Sequence, residues 1–581
     1  MRTPRLRPVT TAILGVVLAL TGATAASALS AAPSPALSPA LSPALSPAAG
    51  TASATATPPG EFASDWDDPR TPEPPVTVPG TRHCTVRVVD DSFADFAVHT
   101  SSYTPPPGCA GPWSKVVMRL SGSVAGRQFD RLGYLDVAGV RMLTLSTPEP
   151  SIDGIRWHVE KDVTDLAPLL TGPQQVSMSI GNVVDATYTG VIHVSVDLDF
   201  YTTGHGAPVA QTSDQVLPLV NSTRDGSDLV GALTVPRNST RLLADVFATG
   251  SGGGCEEFWD TSAPASTGYS CPDGLPYREV DVRIDGQLAG VAAPYPVVYT
   301  GGWSNPFLWY TIPSPKAFDI PSLGYDLTPY LARLDDGRSH EVRLSVVGLP
   351  AGQGGWTLAP RFRVWRDAGR SVVTGTTGAP SGGDPAVKST VTGTGDQAGR
   401  VDLDATRDFA VTGTLFTSRG PVTTTVTRSL GNTSRHSWTD GEADDSLTAS
   451  WTDTQVVEAR HGHGTPTVER TVHRWDKEGV LGFHPHPGAD GAYDVTGDLA
   501  ITWGEDRSLT RGGARLSSRS ETSSYDGRAS WIYGVPRDQR HATADTSARA
   551  TVTETHLGGK STGHDHRLRS VNGVFVLDTL H

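Results

Sequence analysis

Beyond Ser30 the chain has no apolar run approaching the roughly 20 residues needed to cross a bilayer, so no membrane anchor is expected there. Basic residues are in deficit: 47 Lys and Arg against 61 Asp and Glu give a net charge of −14. That balance excludes nonspecific attraction to nucleic acid or to an anionic membrane, and no nucleic-acid partner is expected. Cysteine is scarce too, with four in 581 residues, so any bridges pin loops rather than replace a core. Four methionines, and no repeat of fixed period in the part expected to fold, argue against long helices, solenoids and propellers.

What the chain has in quantity is turn and strand material. Its 63 glycines and 44 prolines, with abundant Thr, Val and Ser, predict an all-β protein. At 581 residues it is too long for a single core, so several domains are expected. Arg2, Arg5 and Arg7 precede an apolar run that ends in small residues such as Ala26-Ser27-Ala28, the pattern of a secretory signal over residues 1–28. A secreted, extracellular protein is expected, and export permits disulfides. The cysteines fall into local couples, Cys84 with Cys109 and Cys255 with Cys271, although four cysteines allow three connectivities.

Residues 29–81 begin with Ser-Pro-Ala-Leu repeats and read as a disordered spacer. A first β domain is expected over 82–210, where Ile192, Val194, Val196, Leu198 and Phe200 alternate with polar residues. A second is expected over 211–367, where Val280, Val282 and Ile284 alternate before the turn signal Asp285-Gly286, and Val342, Leu344 and Val346 repeat the pattern. Residues 368–399, poor in large apolar side chains, read as a linker, and 400–581 as a C-terminal β-rich domain.

Several motifs occur in one order. They are Pro106-Pro107-Gly108-Cys109-Ala110-Gly111-Pro112-Trp113, Phe129-Asp130-Arg131, Thr147-Pro148-Glu149-Pro150 and Gly154-Ile155-Arg156-Trp157, followed by Gly181-Asn182-Val183-Val184, Tyr188-Thr189-Gly190, Glu257-Phe258-Trp259, Tyr299-Thr300-Gly301-Gly302 and Tyr325-Asp326-Leu327-Thr328-Pro329. Together they resemble the peptide N-glycanase A family from about Cys84 to Trp365. The resemblance implies two adjacent antiparallel jelly-roll sandwiches with the active site in the cleft between them. It also implies an amidase that cuts the bond between an asparagine side chain and the first N-acetylglucosamine of an N-glycan. The implied partner is an N-glycopeptide or N-glycoprotein.

In the distantly related peptide N-glycanase F, a Trp-Asp-Arg segment and a Cys-Ala-Glu-Trp segment supply two acids. Phe129-Asp130-Arg131 and Cys255-Glu256-Glu257-Phe258 resemble them, so Asp130 and Glu257 are the implied catalytic acids, with Glu256 the alternative if the register differs by one. The position of that relative's third acid falls near Ile192, which leaves Glu149, Asp185 and Glu160 as substitutes. Paired acids suit the chemistry, because water must be positioned or deprotonated while the departing nitrogen gains a proton. Arg131 is a candidate for holding Asp130 ionised or contacting substrate. Trp259, with Trp157 and Trp303 behind it, is a candidate for covering a pyranose face; Glu149 and Asp185 are also taken as substrate-contacting positions.

No cofactor and no metal ligand set is expected. His461-Gly462-His463, His484-Pro485-His486 and His564-Asp565-His566 would suit a zinc hydrolase, but no His-Glu-x-x-His motif accompanies them. A noncatalytic glycan-binding β-sandwich is the other reading, since fold alone does not choose between lectin and enzyme. Sequons at Asn221, Asn238 and Asn432 are possible glycan acceptors.

Overall fold

The computed structural model describes residues 68–149, 153–250, 259–270, 274–303, 305–349, 356–393, 395, 397–559 and 561–581. The expected signal at 1–28, most of the 29–81 spacer, and Cys255, Glu256, Glu257 and Cys271 lie outside the described residues. Among the described residues no helix is long and apolar enough to cross a membrane.

The first unit contains strands β1 (His83–Phe93), β2 (His99–Tyr103), β3 (Trp113–Ala125), β4 (Leu132–Val137), β5 (Val140–Ser146), β6 (Ile155–Asp162), β7 (Gln174–Ile180) and β8 (Val191–Thr202). They form two four-stranded antiparallel sheets, ordered β1-β8-β3-β6 and β2-β7-β4-β5. The period-two pattern of β8 is realised: Ile192, Val194, Val196, Leu198 and Phe200 join Val116, Met118, Leu120, Leu135 and Leu143 in one core. The Cys84–Cys109 disulfide ties β1 to the loop before β3.

The second unit contains β9 (Gln215–Pro218), β10 (Val220–Asp225), β11 (Asp228–Leu233), β12 (Ser239–Gly250), β13 (Glu279–Ile284), β14 (Gln287–Ala292), β15 (Leu323–Asp326), β16 (His340–Val347) and β17 (Trp356–Arg366). Five of them form a sheet ordered β10-β11-β16-β13-β14 and four a sheet ordered β15-β12-β17-β9. Val280, Val282 and Ile284 are buried as their spacing predicts, but so are Glu279 before them and Asp281 between them. The other face of β13 is covered by the C-terminal unit, and Glu279 there meets the buried Arg407 at 3.2 Å, as a buried charge requires.

That C-terminal unit is one eleven-stranded antiparallel sheet. Its strands are β18 (Thr374–Thr377), β19 (Ala386–Thr392), β20 (Gly399–Thr417), β21 (Gly420–Thr439), β22 (Asp444–His461), β23 (Thr467–Pro485), β24 (Tyr493–Arg511), β25 (Ala514–Tyr533), β26 (Thr543–His556), β27 (Thr562–Val571) and β28 (Val574–Leu580). Strands β20 to β25 run 18 to 20 residues, where about 3 to 10 is usual, so one long face covers the second unit. Trp451, Trp475 and Trp503 stand opposite one another on adjacent strands and belong to the same buried cluster as Val280 and Val282.

Two expectations are corrected. The 368–399 stretch is not a bare linker, because β18 and β19 both pair with β20. Every residue of β19 is exposed, and backbone pairing to a long neighbour supplies order that its side chains do not signal. Nor is 68–81 free of the folded body. The Arg70 N–H donates to the Thr311 carbonyl at 2.9 Å, His564 donates to the Pro72 carbonyl at 3.0 Å, and the Val76 N–H donates to Glu160 at 3.2 Å. Prolines there fix an extended segment that touches all three units.

Candidate active site

The site begins where the ladder between β4 and β5 runs on past its last strand pair, Leu132 with Ser146. The Thr147 N–H donates to the Arg131 carbonyl at 2.8 Å, and the Arg131 N–H to Thr147 Oγ1 at 2.9 Å. Asp130 and Glu149 therefore leave the same end of the sheet on neighbouring segments. Gln128, buried beneath them, donates to the carbonyls of Val183 and Gly190 and accepts from the Phe129 N–H and from Arg131 Nη2. All its polar capacity is used to fix the 128–131 loop.

The second unit closes the site with Thr300 and Gly301. The Thr300 N–H donates to Ser146 Oγ at 3.4 Å, and Ser146 Oγ donates to Asp130 Oδ2 at 3.3 Å, while Thr300 Oγ1 donates to the Thr147 carbonyl. The Gly301 N–H donates to the Asp130 carboxylate. A Cβ at Gly301 would lie 2.3 Å from Asp130 Oδ1 and 3.0 Å from Glu149 Oε2. Those two oxygens are thus no further apart than the two distances laid end to end, and any side chain at position 301 has to displace the acids. Gly301→Ala is expected to cut kcat/KM by about 100-fold through displacement of the acids, with little change in Tm; a variant as active as the parent would contradict this geometry.

Asp130 and Glu149 are each partly open to solvent at the residue level, but their carboxyl groups are crowded by protein and lose most of their hydration. Burial raises the Asp130 pKa, opposed by the Gly301 N–H, the Arg131 charge and the Ser146 hydroxyl. Glu149 rises well above the ordinary glutamate range, first through burial and then through the nearby Asp130 charge; Arg540, Arg127 and Arg131 pull the other way. The arrangement therefore separates two carboxyls by protonation, Glu149 holding its proton more firmly.

Beside the acids, Phe129 and Tyr188 form a half-exposed aromatic rim with ring centroids 5.1 Å apart, and the Arg127 guanidinium lies 5.4 Å from the Tyr188 ring. Asp185 builds this rim indirectly. Its carboxylate accepts the N–H groups of Thr187 and Tyr188 at 2.7 and 2.8 Å, which holds its pKa low and shapes the turn. It is a turn residue rather than a partner of Asp130.

The expected tryptophans do not reach this rim. Trp259 is fully buried, donates to the Val297 carbonyl at 3.1 Å and packs on Trp356 at 5.1 Å. Trp157 is equally buried under Gly122, where an added Cβ would fall 2.1 Å from the indole, and Trp303 lies under Gly479. An indole with no exposed face cannot cover a sugar, so all three are core. Trp259→Ala is expected to lower stability by about 3–5 kcal/mol, read as a fall in Tm, with no selective rise in KM.

Of the remaining acids, Glu160 pairs with Arg119 and faces a cavity of about 1400 Å³ between the units, which neither Asp130 nor Glu149 lines. Ion pairs line that cavity's walls, among them Lys316–Glu521 at 2.7 Å and Arg428–Asp453 at 2.6 Å. Glu257, whose role was implied by resemblance, lies outside the described residues. Histidines of two of the pairs have partners of their own: His484 with Asp444, His486 with Asp494, and His566 with Asp578. Among the described residues no group of three or more His, Cys, Asp or Glu is arranged to hold a metal. Asn238 and Asn432 are buried with their amides donating to carbonyls, which leaves Asn221 as the exposed sequon.

Fold and site together define a β-sandwich protein with a desolvated acid pair at the junction of two sandwiches. The family model of peptide N-acetyl-beta-D-glucosaminyl asparaginase amidase A matches residues 72–364, and the chain belongs to that family. Peptide-N4-(N-acetyl-beta-glucosaminyl)asparagine amidase A of Prunus dulcis is 30% identical over 325 residues, covering 50% of this chain and 56% of that protein. The chain thus aligns with little more than half the length of this curated relative. Among solved structures, PNGase F, a glycosylasparaginase from Flavobacterium meningosepticum, aligns at TM-score 0.34 and 13% identity, over 49% of this chain and 96% of that one. PNGF-II aligns at TM-score 0.34 and 14% identity, over 49% and 65%.

Proposed function

We propose that the chain is an amidase that hydrolyses the beta-aspartylglucosaminyl bond of N-linked glycopeptides or glycoproteins. The observation that carries this reading is the pair Asp130 and Glu149 about Gly301, two carboxyls with unequal hold on a proton. Family membership and the 30% identical almond relative support it.

Asp130, held by the Gly301 N–H, Ser146 and Arg131, is the carboxylate that orients and deprotonates water. The water oxygen bonds to the side-chain amide carbon, the carbon–nitrogen bond breaks, and the electron pair leaves with nitrogen. Glu149 gives that nitrogen its proton, so asparagine becomes aspartate and the glycan departs as a glycosylamine. Phe129 and Tyr188 take the place first assigned to tryptophan, offering half-exposed aromatic faces to the innermost sugar. The amino-terminal signal pattern supports action outside the cell.

Digesting an N-glycopeptide in heavy-oxygen water tests the reading. An amidase places the label in a new aspartate carboxyl and frees the whole glycan. A glycosidase would leave N-acetylglucosamine on asparagine, and a glycan-binding protein would change neither partner; either result would overturn the proposal.

A further inference from the structure

We infer that the C-terminal sheet seats the turn that carries Gly301, and that Gly479 of β23 is a positioning residue for the reaction, acting through Trp303. The inference rests on the amidase reading and extends it, because the site then draws on all three units.

The turn is tight. The Gly302 N–H donates to the Tyr299 carbonyl at 2.9 Å, and Trp303 follows at φ 59°, a left-handed conformation that a bulky residue keeps only where its surroundings hold it. Strands β23 and β25 of the C-terminal sheet pack against this stretch. The fully buried Trp303 indole lies over Gly479, where an added Cβ would fall 2.2 Å from the far edge of the ring. Further along, the Asn305 amide donates to the Ala529 carbonyl at 3.1 Å and Tyr525 Oη donates to the Leu308 carbonyl at 2.6 Å. Trp309, its ring centroid 4.8 Å from that of Tyr525, reaches back and donates its indole N–H to the Gly302 carbonyl at 2.9 Å.

On its other side the same turn meets the acids. A Cβ at Gly301 would fall 2.3 Å from Asp130 Oδ1, and Thr300 Oγ1 lies 3.1 Å from Ser146 Oγ, which in turn donates to Asp130. Only Gly302 separates Gly301 from Trp303. Gly479 is paired on both sides, with Leu447 of β22 and Leu499 of β24, so a methyl group added there cannot be relieved by moving the strand. The indole must move instead, and with it the N–H that Asp130 accepts. The charged groups facing Asp130 are Arg131 and Glu149, and the Gly301 N–H favours its ionised form against burial. Withdrawing that donor lets Asp130 keep its proton to higher pH.

The test uses the full chain with Gly479→Ala, and with Gly479→Ala/Trp303→Phe, because phenylalanine lacks the far edge of the indole. Tyr525→Phe, which gives up the bond to Leu308 but keeps its ring against Trp309, is the milder second variant. Two readouts are taken: kcat and KM against pH on an N-glycopeptide, and titration of the protonated-carboxyl infrared band that Asp130→Asn removes. Gly479→Ala is expected to lower kcat by about 10- to 100-fold with KM little changed. Its acid limb and band midpoint are expected to move up by about 1 pH unit, and Trp303→Phe to bring both back. Tyr525→Phe should shift the midpoint in the same direction by less. A folded Gly479→Ala chain with an unmoved midpoint, whatever its activity, or a shift that Trp303→Phe does not reverse, would overturn the inference; if Gly479→Ala does not fold, an unmoved midpoint in Tyr525→Phe does so. Should the parent chain lack amidase activity, the proposed function fails while the infrared midpoint still decides whether the sheet holds Gly301 on Asp130.

Discussion

Asp130→Asn is expected to reduce kcat by about 100- to 10,000-fold, the range that a positioned acid or base contributes. The substitution keeps the side chain's shape. Its amide oxygen still accepts from the Gly301 N–H, and its NH2 can donate to Ser146 Oγ, so the surrounding backbone has no reason to move. What disappears is the charge that draws a proton from water. Burial opposes that charge in the folded state, so Tm is expected to hold or rise rather than fall. A folded Asp130→Asn variant that loses less than about tenfold in kcat would reduce Asp130 to a strand-end residue.

Glu149→Gln is expected to cost about 100-fold or more in kcat, with KM little changed, and to abolish the alkaline limb of the pH profile. On the proposed mechanism Glu149 must hold a proton, and that proton is lost as pH rises through its raised pKa, which sets the expected limb. Stability should change in a related way. A carboxyl whose folded pKa lies above its unfolded value near 4.3 binds more protons when folded, so stability falls from about pH 4.3 upward until the raised pKa is passed. Glutamine carries no such loss. The variant is expected to match or exceed the parent's Tm at neutral pH, and a lower Tm there would contradict the burial assigned to Glu149.

Much of the strand content was legible in the chain, because a half-buried strand writes its geometry as alternation. Residues 192–200 of β8 show this directly, with every second side chain in the core. The pattern misled at β13, where Glu279 and Asp281 look solvent-facing until the C-terminal sheet is laid over them. It was silent at β19, none of whose own side chains is buried.

The site divides in the same way. Phe129-Asp130-Arg131 was readable because motif order brought it forward, and Thr147-Pro148-Glu149 was within reach as a substitute acid. Gly301 was quoted as part of a motif but given no role, since its importance lies in the Cβ it lacks and in two carboxylates more than 150 residues earlier in the chain. The tryptophans failed for the opposite reason. Large aromatic side chains fill cores as readily as they cover sugars, and only burial in the folded chain separates the two uses.

Asp130 and Glu149 are proposed to act as one unit across Gly301, and a double-mutant cycle measures this most directly. Residues that share a single step are strongly non-additive, whereas independent sites add in free energy. With kcat/KM measured for the parent, Asp130→Asn, Glu149→Gln and the double variant on one N-glycopeptide, the double variant is expected to be no more than severalfold worse than the weaker single. Losses that multiply in full would show two carboxyls working independently and would contradict the pairing.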